Sequence, residues 1–385
     1  MSFVTVLTPQ QIASLSSSHI AEFTTTQIQA LTTGQIPALT TAHIVALSSD
    51  QTKALTTRQV AMLTSNQLRA LQTQDFAALG TAQLAVLGSA QAPGLTTGHL
   101  TTLETAEIAK LSTAFFKTWS TAAIAGLDTH QIASLGTGQL AAWTESAQIR
   151  ALETRDIAQL SSAQFKALSS AQVGYLSSAQ MAALSAEAAA ALGTATLTGL
   201  NSAGIRALTT AQVQGLSTAQ IKSLSSAQVQ WLETSDIAVL SSAQIMALDT
   251  ADVAALTTMQ IVALGSDQVK ALTTGQIAAL SSNQLRALQT QDFAALGTGQ
   301  LAALNSVQAP GLTTGQLATL ETAEIAKLST GFVKNLSTAV IAGLSTDQIA
   351  GLSTAHLMSW TESAQIRALE TRDIAQLSSA QFKAL

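Results

Sequence analysis

An eight-residue phrase, Leu-Thr-Thr-x-Gln-Ile-x-Ala, recurs from Val4 to Leu385 and leaves little room for anything else. Its larger apolar residue falls at Ile12, Ile20, Ile28, Ile36 and Ile44, then at Val60, Leu68, Phe76 and Leu84. After one slip the beat continues through Ile149 and Ile157 to Ile349 and Leu357. Leu follows three residues later, as at Leu15, Leu31, Leu39 and Leu47. Roughly 48 such octads fill the 385 residues. A period this short means stacked repeats, each too small to bury its own apolar face. Residues 1–385 therefore read as a single continuous octapeptide-repeat solenoid.

The octad Ser161-Ser162-Ala163-Gln164-Phe165-Lys166-Ala167-Leu168 shows the local logic. Ser161 and Gln164 have capping-box spacing: the hydroxyl accepts from the third helical amide (N3), and the Gln side chain returns to the N–H of the cap. Leu160 before the cap and Phe165 at the fourth helical position (N4) have hydrophobic-staple spacing. About three-quarters of the N3 positions hold Gln, Asp or Glu. Acidic substitutes such as Asp75, Asp156, Asp236 and Glu324 suit the positive end of a helix. On this reading the Gln is the lesser, reciprocal half of the box. Pro9 falls at the first helical position, where a missing N–H costs nothing. Gly80, Gly88, Gly136, Gly265 and Gly297 stand at the cap, which is also the end of the preceding helix. Each octad thus predicts one helix of about six residues and a tight turn.

A single long helix fails because eight residues advance about 800°, so the apolar stripe would drift about 80° per octad. Two one-residue insertions also oppose it: Trp143-Thr144-Glu145-Ser146-Ala147-Gln148-Ile149, and the same phrase from Trp360 through Glu362 to Ile366. A turn absorbs one residue, whereas a rod would rotate by about 100°. The alternative is a β-solenoid, favoured by the short period and Thr-rich turns but opposed by Ala and Gln, which are poor strand residues. The expected fold is all-α: a solenoid or superhelix of very short capped helices, one per eight-residue repeat. Pro37, Pro93 and Pro310 follow N4 directly, where proline removes a helical hydrogen bond, so those octads are expected to be single 3₁₀-like turns.

Composition narrows the functional classes. The chain is 10% charged with a net charge of −5, and no basic run appears, so neither nucleic acid nor an anionic membrane is an indicated partner. Without cysteine there are no disulfides, thiolate metal sites or Cys nucleophile. Polar residues interrupt every apolar stretch, which leaves no membrane-spanning segment. The N-terminal Met1-Ser2-Phe3-Val4-Thr5-Val6-Leu7 lacks a basic region and a long apolar core, so no signal peptide is visible. The final Phe382-Lys383-Ala384-Leu385 falls inside the repeat, and a longer array is expected to continue it.

Residues 63–168 and 280–385 are nearly one sequence, offset by 27 octads plus the inserted residue, a long internal duplication. Recent copying of a block explains it, and a superrepeat presenting the same Trp and Arg/Glu patch is the functional alternative. The units Leu31-Thr32-Thr33-Gly34-Gln35-Ile36 and Leu208-Thr209-Thr210-Ala211-Gln212-Val213 resemble the tandem LTTAQIAAL arrays of very large bacterial proteins, labelled as adhesion or heme-utilisation surface proteins. The resemblance covers essentially the whole chain and implies a surface or secreted role. It transfers no binding residue.

Candidate chemistry is sparse. His19, His43, His99 and His356 take the N3 position of Gln, and His130 lies beside it. They are read as solvated polar caps rather than metal or heme ligands. Abundant Ser and Thr come without a nucleophile elbow. Glu153, Arg155 and Asp156, with Glu370, Arg372 and Asp373, read as exposed ion-pair faces. Trp119, Trp143 and Trp360 replace the Leu of their octads, and Trp231 precedes its own; core packing is weighed against contact with a partner. The expectation is a non-enzymatic structural segment, a stalk or adhesin shaft outside the cell or on its surface, needing no cofactor. The alternative is a module that binds a polymer, glycan or partner protein, of host or cell-surface origin, through the solenoid surface.

Overall fold

A computed structural model of the chain describes residues 3–361 and 363–385. The readings made on Met1 and Ser2 at the N-terminus, and on Glu362 in the second inserted turn, lie outside the described residues. Within those residues there are 44 short α-helices and four 3₁₀ turns and no strand, so the β-solenoid alternative is discarded. Each α-helix has four to six residues, as in Thr81–Leu84 and Thr210–Gly215. Isolated helices of that length do not persist in water, so the packing of turn on turn must hold them.

The octad frame is set by its caps. Ser161 lies in extended backbone, accepts from the Gln164 amide, and is followed by the helix Ser162–Lys166. Three positions per octad face inward: N3, N4 and the closing Leu, as in Gln212, Val213 and Leu216. The cap and the first two helical positions, here Thr209, Thr210 and Ala211, face solvent. Each fully buried N4 or Leu side chain contributes about 1.5–3 kcal/mol. Pro9 sits at the first helical position of Pro9–Ser14. Pro37, Pro93 and Pro310 lie in the 3₁₀ turns Ile36–Ala38, Ala92–Gly94 and Ala309–Gly311, because a shorter turn avoids the hydrogen bond that proline cannot donate.

The cap glycines need one correction. Gly80, Gly136, Gly265 and Gly297 do cap the following helices, but none ends the preceding helix in a left-handed conformation. No described residue has positive φ. The closing Leu is commonly extended, as at Leu216 with φ −66° and ψ 137°, and feeds straight into the next cap. Glycine there replaces a Ser or Thr hydroxyl, not a backbone bend.

The chain divides into two compact units, Met1–Gly199 and Leu200–Leu385. In each, helices pack against those three octads away, as Thr41–Val45 does on Ser65–Ala70 and Ser226–Trp231 on Thr250–Ala255. Side chains also reach the octad four back: Gln67 contacts the Ile36 and Leu39 carbonyls, 31 and 28 residues earlier. One turn of the coil therefore holds about three and a half octads. The first inserted residue disappears into a turn, between the helices Thr137–Ala141 and Ser146–Arg150. Bonds that span it lengthen by one residue in sequence, Gln164 meeting Leu135 at a separation of 29. Beyond it the separation returns to 28, for Gln180 and Leu152.

Thr52 breaks the apolar N4 row: it is fully buried and its hydroxyl has no hydrogen-bond partner. Val269, 27 octads plus one residue further along and just ahead of the second copy, is the matching N4 residue. A Thr52→Val variant should be more stable by about 1–2 kcal/mol, because a desolvated hydroxyl is replaced by a methyl group. Urea denaturation checks this, and an unchanged or lower midpoint would refute it.

Candidate functional site

The chemistry of this molecule is concentrated in the buried N3 row. In Gln67 the side-chain oxygen accepts from the Thr64 N–H at 2.8 Å. Its nitrogen donates to the Ile36 and Leu39 carbonyls of the turn before, both at 2.7 Å. The residue is only 2% exposed. Gln276 repeats the arrangement in the second unit, accepting from Thr273 N–H at 2.7 Å and donating to Ile245 O at 2.9 Å and Leu248 O at 2.7 Å. A six-residue helix leaves several terminal N–H and C=O groups without partners. One glutamine amide serves both ends, capping its own helix and satisfying carbonyls at the end of another.

This overturns two expectations. The N3 side chain is not a solvated cap, and Gln is not the lesser half of the box. Glutamate would fit a simple capping box equally well, yet it occupies N3 only at Glu107 and Glu324. That bias was the available signal, because only the amide carries the donors that the turn below requires.

Histidine meets the same demand with different atoms. At His99 the Nδ1 accepts from the Thr96 N–H at 3.3 Å, and Nε2 bonds the Leu71 carbonyl at 2.9 Å. His356 does the same with Ser353 and Leu328, and His43 with Thr40 and Leu15. This requires the neutral ring with its proton on Nε2. Burial holds His99 and His356 below the usual histidine range, opposed by the bonds to Leu71 and Leu328. His19 lies in the exposed first turn and bonds only its own cap, Ser16. Among the described residues no cluster of three His, Cys, Asp or Glu is placed to hold a metal ion.

Aspartate fits the row less completely. Asp75, Asp252 and Asp292 accept from Ser49, Ser226 and Ser266 of an earlier turn at 2.6, 2.8 and 2.6 Å. Asp156 and Asp373 accept from the Glu153 and Glu370 N–H groups, while the other carboxylate oxygen of each is buried without a hydrogen bond and has Arg155 Nε at 3.9 Å and Arg372 Nε at 3.8 Å, respectively, beside it. Burial pushes Asp156 and Asp236 above the usual carboxylate range, opposed by the backbone N–H groups of Glu153 and Glu233. The proposed ion-pair faces are thus only half exposed. Arg155 pairs with Glu153 at 2.7 Å and Arg372 with Glu370 at 2.8 Å on the surface, while Asp156 and Asp373 lie inside.

The tryptophans occupy the core. Trp143 and Trp360 are 0% and 3% exposed, and their indole N–H groups donate to Phe116 O and Val333 O at 3.1 and 3.0 Å. Trp119, 2% exposed, stacks on Phe116 with ring centroids 4.2 Å apart. All three indoles are packed in the core, the first of the two readings weighed for them. Trp231, at the end of Ser226–Trp231, is half-buried.

A coil of short helices joined turn to turn by buried amides defines a helical repeat protein of the solenoid class. The model of the ALTTAQ repeat matches residues 4–41, 33–65, 60–97, 68–105, 100–137, 149–186, 190–218, 213–242, 230–266, 245–282, 285–322 and 325–359. The chain belongs to the ALTTAQ repeat family. Ala207-Leu208-Thr209-Thr210-Ala211-Gln212 spells the repeat in full and ends on a buried N3 glutamine. A comparison with the curated proteins found none that matches.

Two outcomes follow from the geometry. Gln276→Ala should cost about 2–4 kcal/mol in chemical denaturation, since buried backbone groups on two turns lose partners. Gln276→Glu should cost at least as much at pH 7, by turning a carboxylate toward carbonyls, and recover part of the loss when the pH is lowered. A harmless Gln276→Glu would show that capping alone matters. The second concerns pH. His99 and His356 titrate lower in the fold than their ordinary value of 6.5, so the unfolded chain binds more protons. Their contribution is therefore complete above about 6.5 and is lost as pH falls below it toward the folded values. A His99→Gln/His356→Gln variant should lose less stability than the natural chain between pH 7.5 and 5.5. Equal losses would show that these rings do not need to be neutral.

Proposed function

We propose that this chain is a structural segment of a bacterial surface or secreted protein, a stalk or adhesin shaft whose work is to span distance rather than to catalyse. The observation that supports this is the repeated bridge from N3 to the turn before. Every bridged turn joins to its neighbour by the same bonds, so an array can be lengthened by adding octads without inventing a new interface. The duplicated block illustrates this. Arg69 donates to Pro93 O and Arg286 to Pro310 O, and Ser112 reaches Leu87 O as Ser329 reaches Leu304 O, both at 2.6 Å. A copied stretch thus carries its cross-turn couplings with it. Solvent-facing Ser and Thr at the caps keep the outer surface polar and weakly charged.

The resemblance to LTTAQIAAL arrays labelled as adhesion proteins supports the location outside the cell, and protease shaving tests it. In cells carrying the natural gene, externally added protease should remove epitopes from residues 209–280 while leaving a cytosolic marker intact. Protection of both would refute the surface assignment. The spacer role is tested separately by inserting second copies of residues 265–288. Electron microscopy of the purified protein should show a length that rises in proportion to the octads added, and a compact particle of unchanged dimensions would refute it.

A further inference from the structure

The hydroxyl that caps each helix is the less constant member of its Ser/Thr pair. In the 47 octads from Thr8 to Leu385, the cap position holds Ser or Thr 28 times, and Gly, Asp, Glu, Gln or Asn otherwise. The first helical position (N1) holds Ser or Thr in 45 of the 47, with Pro9 and Ala186 as the exceptions. Yet an N1 hydroxyl closes no capping box, and an exposed N1 accepts most helix formers.

Folding does not account for this constancy. Among the described residues only Ser49, Ser162, Ser226, Ser266 and Thr322 place an N1 hydroxyl in a hydrogen bond. Ser242, Thr250, Thr258 and Thr274 are exposed. Where Ala186 stands, the helix Ala186–Ala190 still forms behind its cap Ser185. Packing uses the methyl group: a Cβ built on Gly126 or Gly343 would lie 2.8 or 3.0 Å from the methyl of Thr97 or Thr314, in the seam between turns. Valine would fill that seam without a hydroxyl. The row also winds, because successive N1 positions are a little over a quarter of a coil turn apart. Within each unit the hydroxyls therefore point to all sides. That suits chemistry done one hydroxyl at a time, not adsorption to a flat surface.

We propose that the exposed N1 hydroxyls are acceptors for O-glycosylation, one per octad. The hydroxyl oxygen attacks the anomeric carbon of a sugar activated as its nucleoside diphosphate. The new bond joins that oxygen to the anomeric carbon, and the bond from the anomeric carbon to the phosphate oxygen breaks. The hydroxyl proton passes to a base of the transferase, and the diphosphate leaves with the electron pair. Neutral sugars fit the setting better than phosphates, each of which would add about −1.5 to −2 charges next to caps such as Glu233 and Asp249. The cap hydroxyls are held back by their bonds. Ser241 and Thr257 accept from the Gln244 and Gln260 N–H groups at 3.3 and 3.2 Å, and donate to the same side chains at 3.0 and 3.2 Å. The assignment is independent of whether the chain is exported.

Peptide mass spectrometry of the protein purified from cells carrying the natural gene tests this, with fragmentation that keeps O-linked groups in place. Hexose or N-acetylhexosamine increments should map to Ser242, Thr250, Thr258 and Thr274, and not to Ser241, Thr257 or Thr273. Thr258→Ala/Thr274→Ala should lose two increments. Unmodified protein from a host without the transferase should melt at the same temperature with and without these two changes. A natural protein free of sugar, phosphate increments in place of sugar, or glycans as frequent on caps as on N1 would overturn the proposal. A lowered melting temperature of the unmodified variant would also overturn it, by assigning the hydroxyls to the fold.

Discussion

The amide of a buried glutamine, shared between two turns of backbone, is the interaction on which this architecture depends. Helices of four to six residues are almost all terminus, and a terminus is where backbone donors and acceptors lack partners. Longer helices often resolve their ends with a left-handed glycine. Here no described residue has positive φ, and the closing Leu passes straight into the next extended cap. The N4 and Leu carbonyls are instead met from the following turn, as Gln59 meets Ile28 and Leu31 at 2.8 Å. Local structure and long-range packing are consequently one event: the side chain that starts a helix also fixes which turn lies beneath it.

The octad's local geometry could be read from the residues alone. Ser161 as cap, Gln164 at N3, Phe165 inward, Pro9 at a helix start and Pro37 in a 3₁₀ turn all follow from chemistry that acts within a few residues. Coil closure could not be read so directly. Nothing in Leu-Thr-Thr-x-Gln-Ile says whether two, three or four octads make a turn, because that is set by how successive helices tilt. Burial of the N3 row was missed for the same reason, since a Gln that caps locally looks solvated until the turn above or below is placed. The Trp residues show a related limit. Large aromatic rings suit a core and an outer face equally in sequence, and their place shows only once the neighbouring turn is present, as where Trp143 is enclosed and donates to Phe116 O.

Substitutions within the N3 row follow a consistent chemical rule. What counts is an acceptor directed at the cap N–H and a donor directed across the turn. Imidazole supplies both in its neutral form, as at His43. A short carboxylate supplies acceptors alone and recruits a serine donor where one is available, as Asp75 does with Ser49. Phenylalanine supplies neither, and the cap serine then serves as cross-turn donor. Residues with little similarity in size or charge are thus interchangeable to the degree that they reproduce this pair of directions.

A coil that closes after a non-integral number of octads has a consequence for how damage spreads. Each octad rests partly on the one three back and partly on the one four back, in the manner of staggered bricks. Vertical joints never line up from one course to the next. A single poor octad is therefore straddled by sound neighbours, and a crack cannot run along the wall through it. The harm done by isolated sequence drift stays local in such masonry, which leaves individual octads room to diverge while the course pattern survives.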